Sequence, residues 1–398
     1  MLNEYYSRSR ISNYNSNGTL IVLDYNGEVY EGNYTFFEVW SKLDGKTKII
    51  DIIKEFQETF YETDPREIEQ DVIDIIATMK NMSIINQDHS FVPSINNTDT
   101  RLLSVHFAIT SSCNLHCQHC YLNNIKPKFV PFEKYDVILK DLANIGILSL
   151  EISGGEPIVH NNFIEIIKLA KLYGFYVKLF TNATLINITN ITEIKRYVDC
   201  YRISLDGIEE SHDYRRGCGT FRRTLKALEL LKGADVQVSM TIDDINYKDI
   251  DKVHKIVCED LHFKFEVSPV VPYSHIQFTH DKLRLVQKKI NESILKRNIT
   301  TRANIRGVNC NAAIGQLYIN SELMVTPCPL LYQEKWHIGN LTNHSIRELL
   351  DSLTYTKIVQ SLKAIKSNCS RCDKCQFWCA AIVDQTKDKI SPLCIQNK

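Results

Sequence analysis

The stretch that decides the fold and the chemistry of this chain is Cys113-Asn114-Leu115-His116-Cys117-Gln118-His119-Cys120, with the aromatic Tyr121 directly after it. Three thiolates on one tight loop can bind three irons of a 4Fe-4S cube, which leaves the fourth iron without a protein ligand. A small chelating molecule must then complete that iron. Short cysteine spacings also suit a tetrahedral zinc knuckle, so zinc is the alternative that the rest of the sequence must decide.

A glycine turn follows about one strand-and-helix unit later. The apolar run 148–152 ends in Ser153-Gly154-Gly155-Glu156-Pro157. Two glycines let the backbone close on a ligand, and we expect their amides to remain free to donate hydrogen bonds. Taken alone, the turn is an ordinary connection from a strand to a loop.

The middle of the chain alternates strand-like and helix-like stretches. Apolar runs typical of strands are residues 103–109, 149–152, 177–180, 201–205, 236–242 and 263–267, and amphipathic segments such as 163–173 and 224–231 separate them. This alternation predicts an α/β fold, a parallel sheet with crossover helices. Ligands of such folds bind at the carboxyl ends of the strands, which is where the three cysteines and the glycine turn fall.

Together the cysteine triplet and the glycine turn resemble the radical S-adenosylmethionine (SAM) superfamily. The resemblance implies a partial (β/α)6 barrel whose open iron takes the amino and carboxylate groups of SAM. Reductive cleavage of SAM would then yield a 5′-deoxyadenosyl radical. The turn resembles the GGEP motif of that family, in which Gly155 and Glu156 hold the methionyl amino end of SAM.

A second segment matches the same family pattern: Ile203-Ser204-Leu205-Asp206-Gly207, followed by His212-Asp213-Tyr214-Arg215-Arg216. At a strand end, Ser204 and Asp206 come within reach of ribose hydroxyls, and a guanidinium can clamp a carboxylate with two bonds. The resemblance favours Arg216 for the SAM carboxylate, leaves Arg215 as a surface charge and adds His119 to the SAM contacts. Ordinary turn chemistry is the alternative for Ser204 and Asp206.

Cysteine usage indicates the compartment. The chain has 13 cysteines in 398 residues, yet residues 1–10 are polar and lack the apolar core of a signal peptide. No apolar stretch is long enough to span a bilayer. We therefore expect a cytoplasmic protein with no membrane partner, in which the thiols are reduced metal ligands and not disulfides.

Seven further cysteines cluster towards the carboxyl terminus: Cys310, Cys328, Cys369, Cys372, Cys375, Cys379 and Cys394. They resemble the SPASM domain, which carries two auxiliary 4Fe-4S clusters in peptide-modifying radical SAM enzymes. The resemblance implies one cluster on Cys369, Cys372, Cys375 and Cys394, and a second, with an open iron, on Cys310, Cys328 and Cys379.

The match departs from the family in two places. The middle gap of the crowded cysteines is two residues where the family has five, and Leu323 stands where a glycine usually precedes the second cysteine. A zinc site within residues 369–379 is the alternative. The remaining Cys200, Cys218 and Cys258 fit no ligand spacing and are expected to be plain thiols.

The first hundred residues predict a small separate module. Residues 19–24 and 28–30 read as a hairpin about the turn Asn26-Gly27, and residues 83–92 as a second hairpin. Between them lie two helices with apolar faces, the first carrying Ile49, Ile52, Ile53, Phe56 and Phe60, the second Ile68, Val72, Ile75, Ile76 and Met79. Asp64, Pro65 and Glu67 read as the N-cap, first-turn proline and capping-box glutamate of the second helix.

This order resembles the PqqD-like peptide-recognition element, a winged-helix-like domain of ribosomal-peptide maturation. Small winged helices more often bind DNA, but residues 20–98 hold 15 acidic and 6 basic side chains, a net charge of −9. A nucleic-acid binder presents a basic face, so no nucleic-acid partner is expected. Peptide capture by strand addition to a hairpin edge is the expected role.

The predicted domains are residues 1–98 for peptide recognition, 99–300 for the radical SAM barrel and 301–398 for the SPASM-like extension, with residues 93–99 as a linker. This order resembles sactipeptide and ranthipeptide synthases. It implies SAM and three 4Fe-4S clusters, a precursor peptide bound through its leader, a flavodoxin- or ferredoxin-type electron donor, and a cysteine thioether as the product.

Three alternatives stay open from the sequence. The reaction could be carbon-carbon crosslinking or epimerisation of a peptide. Anaerobic sulfatase maturases share the barrel and clusters, but place an aspartate after the second auxiliary cysteine, where Pro329 follows Cys328 here. A non-catalytic iron-sulfur scaffold would leave the SAM-binding motifs unexplained. The sequence predicts no catalytic side chain.

Overall fold

The computed structural model describes residues 2–8, 12–16, 19–23, 29–82, 84–87, 104–122, 125–270, 300–301, 312–367 and 379–384. The chain divides into two compact units. The first contains Met1–Ser104, Asp136–Ser149 and Leu169–Tyr176, and the second contains the remainder.

The first unit carries two three-stranded sheets in its described part. One is antiparallel and pairs strands β2 (Ser12–Ser16), β3 (Thr19–Leu23) and β4 (Val29–Gly32) in that order. The other has the order β5-β1-β6, with β1 at Tyr5–Arg8, β5 at Asp44–Lys48 and β6 at Ile85–Asn86. The hairpin predicted at residues 19–30 is confirmed for its two strands, and its Asn26-Gly27 turn lies outside the described residues.

Three helices lie in the amino-terminal segment of this unit: α1 (Tyr34–Ser41), α2 (Ile49–Thr59) and α3 (Pro65–Asn81). Both predicted apolar faces are confirmed, because their side chains join one buried cluster, to which Ile75 adds from a partly buried position. Phe60 is the exception, since it lies one residue past the end of α2 and is exposed. The Asp64 side chain caps α3 by accepting from the amide of Arg66, not from that of Glu67 as a capping box would require.

The second hairpin predicted at residues 83–92 takes another form where the structure describes it. Ile85–Asn86 pairs antiparallel with Ser7 and Arg8 of β1. Residues 88–92, which would form the other arm, lie outside the described part of the chain. The ladder thus joins two segments about 80 residues apart in sequence, a pairing that local turn signals cannot predict.

In the second unit, ten described strands form one mixed sheet with the order β13-β12-β11-β10-β9-β8-β7-β14-β15-β16. Its strands are β7 (Ser104–Thr110), β8 (Ser149–Gly154), β9 (Tyr176–Thr181), β10 (Cys200–Ser204), β11 (Asp235–Ile242), β12 (Lys264–Pro269), β13 (Thr300–Thr301), β14 (Gln316–Ile319), β15 (Met324–Thr326) and β16 (Gly339–Asn340). Strands β9 to β13 pair in parallel, and β14 to β16 pair antiparallel. The six predicted strands are all present, within one or two residues.

Helices alternate with these strands, as predicted. They are α4 (Tyr135–Asn144), α5 (Phe163–Leu172), α6 (Ile191–Tyr197), α7 (Glu209–Arg216), α8 (Thr220–Leu230), α9 (Ile250–His254, continued by a π-helical turn at Lys255–Asp260), α10 (Ile346–Leu350), α11 (Leu353–Ser367) and α12 (Ala380–Asp384). None of the helices in the described residues is long and apolar enough to cross a membrane.

The two faces of the central strands differ in character. On β9, β10 and β11, buried residues such as Leu179, Ile203 and Val238 alternate with half-buried Lys178, Arg202 and Gln237. A parallel sheet covered by helices on both faces is apolar on both. The alternation therefore marks one face as the packed exterior of a curved sheet and the other as its polar interior.

Candidate functional site

The three cysteines lie on the loop that follows β7, here called the cluster loop (residues 111–122). The first residue of this loop is hydrogen-bonded to the segment that follows the loop. The Ser111 amide donates to the Lys128 carbonyl at 2.9 Å, and the Ser111 hydroxyl donates to the Lys126 carbonyl at 2.8 Å. The thiols of Cys113, Cys117 and Cys120 are all half-buried. The sequence thus places all three thiols at the carboxyl end of a buried strand.

Electrostatics makes this group of thiols a site for a cation. Burial raises the pKa of Cys113 to about 11 and also raises the pKa values of Cys117 and Cys120. The positive charge of Arg216 partly offsets burial at the last two thiols. Thiolates become the favoured form once a metal cluster supplies the compensating charge, so the residues present fit an iron-sulfur cluster.

The arrangement also bears on the zinc alternative. In the part of the chain that the structure describes, no three cysteine, histidine or carboxylate side chains converge on the position of a single metal ion. Two sulfur ligands of one zinc would stand roughly 4 Å apart, whereas a cube binds its cysteines through separate irons. The described residues thus show no ligand set for a single zinc ion at the triplet.

The glycine turn is fastened to the cluster loop through backbone groups. Gly155 donates to the Thr110 carbonyl at 2.8 Å, and Glu156 donates to the Ser112 carbonyl at 2.9 Å. A Cβ on Gly154 would lie 2.0 Å from the Thr110 oxygen, and one on Gly155 would lie 2.3 Å from the Ser112 oxygen. Glycine is required here because two backbones meet, and the expectation that the Gly155 amide remains free to donate is wrong.

Glu156 serves the interior of the protein. Its side chain is fully buried and accepts hydrogen bonds from the Thr181 hydroxyl at 2.7 Å and the Asn182 amide at 2.8 Å. Burial raises its pKa to about 7. Asn182 in turn donates to Asn114 of the cluster loop at 3.1 Å. Its carboxylate is thereby linked to the cluster loop through Asn182, and the role of Glu156 at the amino end of SAM stays a prediction.

Asp206 occupies a similar buried position at the end of β10. Its Oδ2 atom accepts from Arg216 Nε at 2.6 Å and lies 3.1 Å from His119 Nε2, while Oδ1 accepts from the Thr241 amide at 2.8 Å. Burial alone would raise the pKa of Asp206, but the charges of Arg216 and His119 hold it well below its ordinary value. The oxygens of Asp206 are engaged and it has no exposed surface, whereas the neighbouring Ser204 is half-buried. The ribose contact of these two residues stays a prediction.

The structure places one of the two arginines of α7 differently from the sequence prediction. Arg215 is buried, pairs with Asp243 and lies 3.9 Å from Asp206, so the prediction of a surface charge is wrong. Arg216 retains slight exposure and lies close enough to Cys117 and Cys120 to shift their pKa values. Arg216 is thus the guanidinium nearest the cysteines, and its predicted role at the SAM carboxylate stays a prediction.

The cluster loop is also bound directly to α7. The Gln118 amide donates to the Arg215 carbonyl at 2.9 Å, and the Gln118 side chain donates to the Tyr214 carbonyl at the same distance. The described structure thus brings His119, the three cysteines, the glycine turn, Asp206 and Arg216 together at one end of the parallel strands. These segments are separated by up to about a hundred residues in sequence.

Of the seven carboxyl-terminal cysteines, the structure describes Cys328 and Cys379, which are both half-buried. Cys310, Cys369, Cys372, Cys375 and Cys394 lie outside the described residues. Leu323, at the position where the family has glycine, has a φ of +63°, the left-handed conformation that glycine adopts without strain. The backbone therefore keeps the glycine-like turn, although the sequence departs from the pattern.

The remaining three cysteines lie apart from these groups in sequence. Cys200 begins β10 and is half-buried, and burial raises its pKa to about 11. Cys258 lies in the π-helical turn, and Cys218 is exposed after α7. Their expected role as plain thiols stays a prediction.

Sequence reasoning missed the polar interior of the sheet. His106, Glu151 and Ser153 are buried there on β7 and β8, and Gln316 of β14 donates to Glu151 at 2.9 Å. The signal was present as polar residues at alternate positions of otherwise apolar runs. Without the neighbouring strands, these positions could not be grouped.

Comparison with known proteins agrees with this geometry. The model of the radical SAM superfamily matches residues 107–257, that of the iron-sulfur cluster-binding SPASM domain matches residues 310–376, and that of coenzyme PQQ synthesis protein D (PqqD) matches residues 19–85. The first two matches contain the cysteine triplet and five of the seven carboxyl-terminal cysteines.

Two curated proteins of Bacillus subtilis (strain 168) are similar in sequence. The antilisterial bacteriocin subtilosin biosynthesis protein AlbA is 28% identical over 375 residues, which are 88% of this chain and 83% of AlbA. The sporulation killing factor maturation protein SkfB is 26% identical over 157 residues, 38% of each chain.

Among solved structures, Streptococcus suis SuiB bound to S-adenosylmethionine shares the fold. Its TM-score is 0.67 at 18% identity, covering 97% of this chain and 98% of SuiB. SuiB bound to its precursor peptide SuiA gives the same TM-score at 17% identity.

Fold, cysteine triplet and family matches together define a radical SAM enzyme. Its SPASM and PqqD domains make it, more narrowly, a radical SAM/SPASM peptide maturase with an amino-terminal PqqD-like element. These domains imply SAM and iron-sulfur clusters as cofactors.

Proposed function

We propose that this enzyme forms a cysteine thioether crosslink in a ribosomally synthesised precursor peptide. The observation that carries the proposal is the convergence of three half-buried thiols, the Arg216 guanidinium and a glycine backbone at the carboxyl ends of parallel strands. Similarity to AlbA and SkfB, named for a bacteriocin and for a killing factor, supports a peptide substrate.

In this proposal the SAM contacts come from the more exposed members of the site. Arg216 binds the SAM carboxylate, Ser204 the ribose and the Gly155 backbone the methionyl end, with His119 lining the same position. Glu156 and Asp206 position these groups from the interior, because both carboxylates are buried and hydrogen-bonded. When bound, the cluster and SAM supply a 5′-deoxyadenosyl radical that removes a hydrogen atom from the acceptor residue of the peptide.

The cofactor set in the proposal is three 4Fe-4S clusters. Cys113, Cys117 and Cys120 hold the SAM-binding cluster. Cys369, Cys372, Cys375 and Cys394 hold one auxiliary cluster, and Cys310, Cys328 and Cys379 hold the other with an open iron. A flavodoxin- or ferredoxin-type protein of the cytoplasm supplies the electron for SAM cleavage.

Residues 1–98 bind the leader of the precursor in this proposal, residues 99–300 form the barrel and residues 301–398 carry the auxiliary clusters. The support is that β2 and β4 are the outer strands of the sheet β2-β3-β4 in its described part, so each offers backbone groups for an added strand. The 15 acidic and 6 basic side chains of residues 20–98 suit a basic leader.

The test is anaerobic incubation of reconstituted enzyme with SAM, a reductant and a cysteine-containing precursor encoded beside its gene. A thioether removes two hydrogen atoms from the peptide mass and protects one cysteine from alkylation. A carbon-carbon crosslink gives the same mass change but leaves every cysteine alkylatable, and epimerisation leaves the mass unchanged. Either of these results would replace the thioether assignment.

A further inference from the structure

The polar interior of the sheet contains a serine, a histidine and a glutamate in series. The Ser153 hydroxyl is hydrogen-bonded to His106 Nε2, and His106 Nδ1 lies 3.8 Å from Glu151 Oε2. All three side chains are buried, at 5%, 5% and 7% exposure. An imidazole that is hydrogen-bonded to a hydroxyl at one nitrogen, with a carboxylate 3.8 Å from the other, resembles the arrangement that proteins use to remove a proton from a reacting group.

The histidine ring is held in place from several sides. It packs against Phe180 of β9 with ring centroids 5.0 Å apart, and edge-on against Tyr318 of β14 at 5.3 Å. Glu151 is oriented by Gln316 at 2.9 Å and has Lys178 Nζ at 3.9 Å from its other oxygen. A ring fixed on two aromatic faces keeps Nε2 directed at Ser153, which favours a defined chemical role.

Position links this series to the radical site. Ser153 directly precedes Gly154, and the next residue, Gly155, donates to the Thr110 carbonyl at the end of β7. His106 lies on that same strand, four residues earlier. Ser153 is therefore the member nearest the strand ends, where the cluster loop is attached, and His106 and Glu151 lie deeper.

We propose that Ser153 and His106 form a proton relay that accepts the proton of the substrate cysteine thiol during crosslinking, with Glu151 as the residue that positions His106. The inference rests on the thioether chemistry proposed above. Ser153 touches the substrate thiol, accepts its proton and passes its own hydroxyl proton to His106 Nε2.

Atoms and electrons balance as follows. The acceptor carbon loses a hydrogen atom to the 5′-deoxyadenosyl radical, which becomes 5′-deoxyadenosine. The S–H bond of the cysteine breaks and the carbon-sulfur bond forms, which releases one proton and one electron. The relay takes the proton, and the electron would pass to an oxidised 4Fe-4S cluster held by the carboxyl-terminal cysteines.

A base is needed because a free thiol has a pKa of about 8.5 and is mostly protonated at neutral pH. Imidazole has an ordinary pKa of about 6.5, close to the working pH, which is the range in which general bases are most effective. Such a base typically contributes about 10²- to 10⁴-fold to a rate.

The test compares His106→Gln and Ser153→Ala with a matched control, His160→Gln. His160 is another buried histidine of the same unit, but its ring bonds only to backbone, at the Val130 carbonyl and the Asn162 amide. For each enzyme, crosslinked peptide and 5′-deoxyadenosine are quantified in the same reaction, since hydrogen abstraction does not require the base.

We expect His106→Gln and Ser153→Ala to lower the ratio of crosslinked peptide to 5′-deoxyadenosine about 100-fold, with iron content unchanged. His160→Gln should keep the wild-type ratio. For the wild type, the ratio of crosslinked peptide to 5′-deoxyadenosine should decrease at acidic pH. This decrease should be absent in His106→Gln. Glu151 of β8 lies 3.8 Å from His106, Tyr318 of β14 packs against its ring, and Lys178 of β9 lies 3.9 Å from Glu151. Glu151→Gln should therefore shift the pH at which this decrease occurs.

A second readout needs no catalysis. Nitrogen-15 NMR of histidine-labelled protein, assigned by difference with His106→Gln, should show neutral His106 with its proton on Nδ1, because Nε2 must be free to accept. A proton on Nε2, or a product ratio unchanged in both relay variants, would overturn the relay. If the wild type makes no thioether, the proposed function fails, whereas thioether formed normally by the variants refutes the relay alone.

Discussion

Asp206 and Arg216 form a buried ion pair in which Oδ2 and Nε are 2.6 Å apart, and the same carboxylate oxygen lies 3.1 Å from Nε2 of His119. One carboxylate thus connects the end of β10, the last turn of α7 and the cysteine loop. Removing the charge of Asp206 should displace both Arg216 and the cluster loop, because this one carboxylate contacts Arg216 and His119.

Asp206→Asn keeps the size of the side chain and removes the charge. Hydrogen bonds to charged groups contribute about 1.5–3 kcal/mol, so we expect SAM affinity to fall about 10- to 100-fold. Calorimetric titration of SAM into the reconstituted protein measures this.

The control for that change is Glu209→Gln. Glu209 pairs with Arg222 at the same 2.6 Å, but both side chains are exposed. An exposed pair contributes little, so SAM affinity should stay at the wild-type value. If both variants bind SAM like the wild type, Asp206 does not organise the site.

Gly155→Ala tests the close approach of two backbones. The added Cβ would lie 2.3 Å from the Ser112 oxygen and 2.9 Å from Cβ of Cys113, so the cluster loop must move. We expect reduced iron content and loss of SAM cleavage. Gly233→Ala is the comparison, since no atom lies within 4 Å of the point that its added Cβ would occupy, and it should retain iron although its φ of +81° is unfavourable for alanine.

The cysteine groups predict the iron content. Three 4Fe-4S clusters amount to about twelve irons, and replacing Cys113, Cys117 and Cys120 with alanine should remove about four of them and abolish SAM cleavage. Iron and zinc analysis of protein purified without oxygen measures this. Zinc in place of iron in the carboxyl-terminal group would contradict the auxiliary clusters.

Cys379→Ala should separate the two halves of the reaction. Cys379 lies at the start of α12, distant in sequence from the triplet, so SAM cleavage without peptide should persist. Crosslinked product should disappear, because the auxiliary cluster with the open iron is damaged. Loss of SAM cleavage as well would show that Cys379 is needed for the fold or for the first cluster.

Leader binding can be tested with prolines on the outer strand β4. Neighbouring residues of a strand direct their amides to opposite sides, so of Tyr30→Pro and Glu31→Pro only one removes an outward donor. That variant should weaken binding of a labelled leader to the full-length protein with little loss of stability, and the other should lower stability. A proline at Ile84 is unsuitable, because the Ile84 amide donates to the Met79 carbonyl and its side chain is buried.

Salt dependence identifies the kind of contact. Residues 20–98 carry a net charge of −9. Added salt should therefore weaken the binding of a basic leader, and should leave the affinity nearly unchanged if the contacts are mainly apolar. Equal binding by both proline variants at every salt concentration would refute strand addition at β4.

The sequence by itself determined the features that depend on local spacing. The three cysteines, the glycine turn, the strand and helix pattern and the two amphipathic helices of the first unit follow from periodicity and residue chemistry, which neighbouring residues decide. Arg216 is singled out for the SAM carboxylate by the family resemblance and not by local spacing.

Only the tertiary structure decided which side chains face a ligand and which are buried. Arg215 and Arg216 are adjacent in sequence, but the packing of α7 buries one against Asp243 and leaves the other beside the cysteines. Glu156 and Asp206 match SAM-binding motifs, yet both are buried and hydrogen-bonded to neighbouring residues. Likewise Ser153, His106 and Glu151 come together through pairing between strands, because a strand carries no information about the residues that its neighbours place beside it.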